Sequence, residues 1–136
     1  MVNNRPRTAL LGAFAAGFLG LTLAAAGANG TFPLGQTLTG AEGPLPGCRQ
    51  APSMTVSADR IHFRVCCNQI SAPGRIEGDR LVITGPAIAT RMHCGEGQAS
   101  EDRFLKQLDS QRQIRWRQEG DRLVLETEPP LSFRMP

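Results

Sequence analysis

Beyond residue 53, apolar and polar residues alternate in short runs, as in strands that bury one face. In the clearest run, Ile61, Phe63, Val65 and Cys67 fall on one face, and His62, Arg64 and Cys66 on the other. Further strands are predicted at 54–56, 114–116 and 131–133. The Ser-Ala-Pro-Gly sequence at 71–74 is expected to interrupt the sheet, because proline and glycine favour turns.

The six-residue sequence Glu-Gly-Asp-Arg-Leu-Val occurs at 77–82 and again at 119–124. Each copy predicts a hairpin, with Gly-Asp at the turn between two strands. The residues that flank the two copies differ, so we interpret the copies as one common turn sequence that occurs twice and not as an internal duplication.

One helix is predicted at 100–109, with Ser100 as its N-cap. Glu101 and Asp102 are expected in the first turn of the helix, where the helix dipole favours acidic groups. Phe104, Leu105 and Leu108 form the apolar stripe. The order is therefore strands, one helix and strands, without the long crossovers of a parallel sheet.

Residues 1–28 have the layout of a secretory signal peptide. Arg5 and Arg7 precede an uncharged apolar run at 9–23, and small residues follow at 24–28, with cleavage after Ala26 or Ala28. An uncleaved anchor is the alternative, disfavoured because glycines dilute the run and no basic stop follows. A lipoprotein cysteine is not expected, since the first cysteine is Cys48. The predicted location is periplasmic or secreted, with no stable membrane anchor after cleavage.

Residues 29–52 are rich in glycine and proline and predict an extended arm before a domain at 53–136. Within the arm, Phe32, Leu34 and Leu38 are expected to supply one edge strand. The net charge of +3 includes Arg5 and Arg7; removing these two from the 15 basic residues leaves 13 against 12 acidic ones. This balance argues against nucleic acid as a partner.

Acidic and basic side chains are mixed on the last predicted strands, which predicts ordinary solvated faces there. Basic side chains on the last strands alternate with acidic ones, so we interpret them as a solvated surface and not as a patch that binds an anionic partner. The arginines concerned are Arg115, Arg117, Arg122 and Arg134.

The four cysteines, Cys48, Cys66, Cys67 and Cys94, predict disulfides in an exported chain. Three connectivities are possible. A Cys66–Cys67 bridge would be strained, and neighbours on a strand point to opposite faces, so these two are expected to find different partners. A metal site formed by Cys66, Cys67, His93 and Cys94 is disfavoured, because zinc sites usually space paired cysteines by two to four residues.

No catalytic set stands out in the sequence. The chain has no Gly-x-Ser-x-Gly motif or phosphate-binding glycine loop, and His62 and His93 are its only histidines. We therefore expect no enzymatic activity and no cofactor.

Several spaced motifs together resemble the META (HslJ-like) domain family. They are the pair Cys67-Asn68, the segment Thr90-x-Met92-x-Cys94, the helix with Glu101, Phe104 and Leu108, and the hairpin at 120–125. The resemblance spans about 53–133 and implies an α+β, mainly β fold: a curved antiparallel sheet or partly open barrel with one helix. It also implies a Cys67–Cys94 disulfide, which leaves Cys48–Cys66.

The remaining motif positions, Asn68, Thr90 and Met92, are expected to serve the fold. Asn68 would end its strand through side-chain to backbone hydrogen bonds, and Met92 would fill the core. The family implies an exported, non-enzymatic envelope protein with a role in stress or antibiotic tolerance. The alternatives are a periplasmic carrier of a small ligand or amphiphile, and a metal- or thiol-dependent protein. We expect a monomer whose partner is an unidentified envelope component or small ligand.

Overall fold

The computed structural model describes residues 30–136, so the predicted signal peptide at 1–28 lies outside the described residues. Within these described residues, strands precede and follow a single α-helix, as the sequence predicts. The strands are β1 Thr37–Gly40, β2 Ser53–Val56, β3 Arg60–Val65, β4 Asn68–Glu77, β5 Arg80–Ile83, β6 Ile88–Ala89, β7 Gln113–Glu119, β8 Arg122–Leu125 and β9 Leu131–Arg134. The helix α1 spans Gln98–Asp109 and follows a 3₁₀ turn at Gly95–Gly97.

The strands form one antiparallel, ring-like sheet. The order is β3-β2-β1-β9-β8-β7-β5-β4, and β4 pairs back with β3. The short β6 pairs with the other edge of β4 over Ile70 and Ser71. This arrangement confirms the predicted mainly β fold with one helix, and both predicted hairpins are present as β4–β5 and β7–β8.

The buried face of the ring carries the core. Alternation places Ile61, Phe63 and Val65 of β3 inside, and α1 adds Phe104 and Leu108 from its predicted stripe. The Phe63 ring lies 6.3 Å from that of Phe104, centroid to centroid. Contacts of this kind stabilise a core beyond the apolar area that they bury.

The predicted interruption at 71–74 is wrong, because β4 runs through Pro73 and Gly74. The strand changes partners here: residues up to Pro73 pair with β3, and residues from Gly74 pair with β5. The lack of a side chain on Gly74 is required, since a Cβ would lie 2.3 Å from Cδ1 of Ile61. Proline has no N–H to donate, but the carbonyl of Pro73 still accepts a hydrogen bond from the Thr84 N–H at 2.9 Å.

Two predicted boundaries also need correction. The strand predicted to reach Cys67 ends at Val65, because Cys66 has a left-handed backbone (φ 44°) and turns the chain into β4. Ser100 is not the N-cap, since the helix begins at Gln98. The Ser100 hydroxyl instead donates to the carbonyl of Pro46 at 2.7 Å and ties α1 to the Gly/Pro-rich segment.

The Gly/Pro-rich segment carries β1, which is an interior strand and not the expected edge strand. β1 pairs with β2 on one side and with β9 on the other. Leu38 is buried on it, whereas Leu34 lies outside β1 and is half exposed. Phe32 packs edge-on against Trp116, with ring centroids 5.2 Å apart. The described part of the expected arm therefore contributes to the sheet and its core.

Within residues 30–136, no helix is both long enough and apolar enough to cross a membrane.

Candidate functional site

The side chain of Asn68 is buried at the start of β4 and lies at the centre of a polar network. Its amide oxygen accepts hydrogen bonds from Thr90 Oγ1 at 2.9 Å and from the Met92 N–H at 2.8 Å. Its amide nitrogen donates to the Met92 carbonyl at 2.8 Å and to the carboxyl group of Glu101. One side chain thus joins β4, the segment after β6 and the first turn of α1.

Thr90 and Met92 contribute to this network in different ways. Thr90 Oγ1 also accepts a hydrogen bond from the Gln69 N–H at 3.0 Å, which extends the pairing of β4 beyond β6. Met92 takes part only through its backbone N–H and carbonyl. The residue is 58% exposed. The expectation that Met92 fills the core is therefore wrong. The side-chain to backbone bonds expected of Asn68 are present, but they reach a segment more than 20 residues away.

Glu101 is the residue of this site whose burial the sequence reasoning missed. It lies in the first turn of the helix, as expected, but only 2% of it is exposed. One carboxylate oxygen accepts from the Asn68 amide, and the other accepts from the Asn68 backbone N–H at 3.3 Å. A spacing of three residues to Phe104 and seven to Leu108 places Glu101 on the buried helical face, a signal that was available in the sequence.

Both implied disulfides are present, Cys48–Cys66 and Cys67–Cys94. The first ties the Gly/Pro-rich segment to the turn between β3 and β4. The second ties that turn to the segment before α1. Loop closures of this size are each worth about 3 kcal/mol when chain entropy dominates.

The residues expected for the metal alternative line one surface hollow, but they do not group as a set at metal-ligand distance. The described residues that group at metal-ligand distance are Cys66, Cys94 and Glu101, whose ligand atoms lie within 4.8 Å of one another. Both of these cysteines are bonded in disulfides. His93 is exposed, and its Nδ1 accepts the Gly95 N–H at 3.1 Å.

A separate apolar cleft of about 490 Å³ opens between α1 and the segment that carries β6. Its apolar lining comes from β3, β4, β5, α1 and the segment that carries β6. Two arginines, Arg91 and Arg112, and one aspartate, Asp109, also line it. The apolar residues include Ile61, Phe63, Ile70, Ala72, Leu105 and Leu108.

The arginines of the last strands largely sit in ion pairs. Arg115 lies 3.3 Å from Asp79, and Arg122 lies 2.8 Å from Glu42. The pKa of Arg117 is raised, mainly by its hydrogen bond to Glu119 and to a smaller extent by its hydrogen bond to Glu126. These contacts agree with the expected solvated face of mixed charge.

Comparison with known proteins gives a family and a fold. Residues 28–134 match the family model described as the META domain. A structure described as "NMR structure of the protein" is similar at a TM-score of 0.55 and 18% sequence identity, over 73% of this chain and 87% of that chain. At this identity the likeness shows the fold alone. No curated protein matches the chain.

Proposed function

The chain belongs to the META domain family, and on that premise we propose that it is an exported, non-enzymatic envelope protein that binds a small anionic amphiphile in the cleft beside α1. The observation that carries the proposal is the cleft itself. A role in envelope stress or antibiotic tolerance rests on the family resemblance alone.

The size and lining of the cleft suit an aliphatic chain. Its volume of about 490 Å³ falls within the roughly 300–1,000 Å³ of small-molecule sites, which are mostly apolar with a few polar groups. Ile61, Phe63 and Ile70 supply an apolar wall from the sheet, and Leu105 and Leu108 supply one from the helix. Burial of a chain against these side chains would provide most of the affinity.

The charge of the cleft favours an anionic headgroup. Arg91 and Arg112 line it together with Asp109, so its charged side chains sum to a net positive charge. Among the described residues, neither arginine forms an ion pair, and Arg112 donates only to the Gly85 carbonyl at 3.4 Å. A carboxylate or sulfate headgroup would give these guanidinium groups a partner of opposite charge.

Support for export comes from two features. The signal-like segment at 1–28 precedes the folded chain, and both disulfides suit an oxidising compartment. The non-enzymatic assignment rests on the sequence, in which no catalytic motif stands out.

The test compares two amphiphiles that share a twelve-carbon chain, dodecanoate and dodecyltrimethylammonium. Each is titrated calorimetrically into the purified protein below its micellar concentration. We expect saturable one-to-one binding of dodecanoate and weaker binding of the cation. The double variant Arg91→Gln/Arg112→Gln should weaken dodecanoate binding about tenfold, which corresponds to a little over 1 kcal/mol.

Arg103→Gln is the matched control, because Arg103 is an exposed arginine on α1 that does not line the cleft. It should leave dodecanoate binding unchanged, whereas Leu105→Gln should weaken the binding of both amphiphiles. Failure of dodecanoate to saturate the protein would refute the proposal. Equal binding of the two amphiphiles would refute the assignment of an anionic ligand.

A further inference from the structure

The two disulfides meet at one surface hollow, on residues that the proposed amphiphile site does not use. The hollow has a volume of about 360 Å³ and is lined by all four cysteines with Gly47, Arg49, Gln50 and His93. None of the cysteines is fully exposed or fully buried. A small molecule in this hollow would therefore contact both disulfides.

The sulfur atoms of the two bridges lie close to each other. Cys66 Sγ, which belongs to the first bridge, is within 4.8 Å of Cys94 Sγ, which belongs to the second. The turn at Cys66 brings the two bridges together, because Cys66 and Cys67 are neighbours in it and each is bonded to a different cysteine. On the buried side, a carboxyl oxygen of Glu101 lies 3.0 Å from Cys94 Sγ.

The backbone of Gly97 packs directly against the first bridge. A Cβ at this position would lie 2.3 Å from Cys66 Sγ and 2.7 Å from Cys48 Sγ. A side chain is therefore excluded from the side of the bridge that faces α1.

We propose that these two bridges form a coupled thiol–disulfide exchange site for a small anionic thiol. The thiolate attacks Cys48 Sγ, forms a mixed disulfide with Cys48 and releases Cys66 as a thiolate. Cys66 then attacks Cys94 Sγ, so that a Cys66–Cys94 bond forms, the Cys67–Cys94 bond breaks and Cys67 leaves as a thiolate. Each step exchanges one S–S bond for another, as thiol–disulfide exchange requires.

A second external thiolate completes the reaction. It attacks the external sulfur of the mixed disulfide and releases Cys48 as a thiolate. Overall, two external thiols are oxidised to one disulfide, and one of the two protein disulfides is reduced. The released thiolates take up protons from solvent.

Charge in the hollow favours an anionic substrate. Arg49 is exposed and lines the hollow beside His93. A guanidinium group next to the entry route stabilises an incoming thiolate and any carboxylate attached to it. Reduced glutathione carries both kinds of group and is the probe used in the test.

The test compares two variants that lack the same bridge, Cys48→Ser and Cys66→Ser. Each leaves one free thiol, but only Cys48→Ser leaves it beside Cys94. After equilibration at mildly alkaline pH, free thiols are alkylated and located by fragment mass spectrometry. In Cys48→Ser we expect the label on both Cys66 and Cys67, and in Cys66→Ser on Cys48 alone.

Two results would overturn the proposal. If Cys67 is labelled in neither variant, the bridges are independent. If it is labelled equally in both variants, the exchange does not depend on Cys66.

A second measurement uses the wild-type chain, in case a variant does not fold. Partial reduction with glutathione, followed by acid quenching and peptide mapping, should yield a one-disulfide species with the Cys66–Cys94 bond. Recovery of only Cys48–Cys66 or Cys67–Cys94 in that species would refute the exchange. Arg49→Gln should slow the reaction with glutathione several-fold. It should slow the reaction with cysteamine less, because the ammonium group of cysteamine offsets the charge of its thiolate. Equal slowing of both would refute the preference for an anionic thiol.

Discussion

Replacement of Asn68 by alanine tests the buried network most directly. The side chain takes part in four hydrogen bonds with nitrogen or oxygen partners, on Thr90, on Met92 twice and on Glu101. In the variant, water can reach the groups of Thr90 and Met92, which are both exposed, so those three bonds cost about 1 kcal/mol together. The buried carboxyl of Glu101 has no such replacement, and an unsatisfied group of this kind costs about 1–3 kcal/mol.

The expected loss is therefore about 3 kcal/mol, out of a total stability of roughly 5–15 kcal/mol for a domain of this size. This loss corresponds to a fall in Tm of roughly 12–20 °C. The assay is urea unfolding followed by the fluorescence of Trp116, the sole and buried tryptophan. The midpoint should fall while the slope of the transition stays unchanged.

Two controls isolate the effect of the Asn68 side chain. Met92→Gln keeps the backbone groups that Asn68 binds and changes only an exposed side chain, and Gln69→Ala changes an exposed neighbour on β4. Both should stay within about 0.5 kcal/mol of wild type. If Asn68→Ala also stays within that limit, the reasoning is refuted.

A double-mutant cycle identifies the partner that matters. Glu101→Leu removes the buried carboxyl, so Asn68→Ala adds less damage in that background than in wild type. The two losses should fall short of additivity by about 1 kcal/mol or more. Strict additivity would show that Glu101 does not carry the cost.

Two further predictions concern the fold and the export of the chain. Gly74→Ala should lower the free energy of unfolding in urea by more than about 2 kcal/mol. The added Cβ would lie 2.6 Å from the Val82 carbonyl oxygen and would also lie against Ile61. A neutral result would contradict the close approach of β4 to its neighbours. When the chain is expressed with its own signal, its intact mass should show that the residues up to Ala26 or Ala28 have been removed. The mass should also be lower by the hydrogens lost in forming Cys48–Cys66 and Cys67–Cys94. An uncleaved chain or free thiols would contradict the export proposal.

Local patterns were sufficient for most of the strands. Alternation and turn chemistry act between residues close in sequence, so β2, β3 and both Gly-Asp hairpins were predictable. The course of β4 through Pro73 was not, because it depends on a change of partner from β3 to β5. The interior position of β1 depends likewise on its pairing with β9, about 90 residues further along the chain.

The candidate site was predictable only in part. Family motifs implied the disulfides and a structural role for Asn68, but the charge of Glu101 concealed the periodicity that it shares with Phe104 and Leu108. The cleft had no sequence signal of its own, because it forms where β3, β4, the segment around β6 and α1 come together. β3 and α1 appear in the sequence as an ordinary half-buried strand and helix, and the segment around β6 has no strand pattern of its own.

The segment from 87 to 94 links the network to the cleft. Ala87, Ala89 and Arg91 line the cleft. Thr90 and Met92, which flank Arg91 in the chain, form hydrogen bonds with Asn68. Successive residues of an extended chain face opposite sides, so one stretch of backbone can serve both. β6 itself is only two residues long, and such a short strand has little pairing to hold it. The Asn68 bonds and the Cys67–Cys94 bridge therefore fix the position of one wall of the cleft, and the motif residues shape the proposed ligand site without lining it.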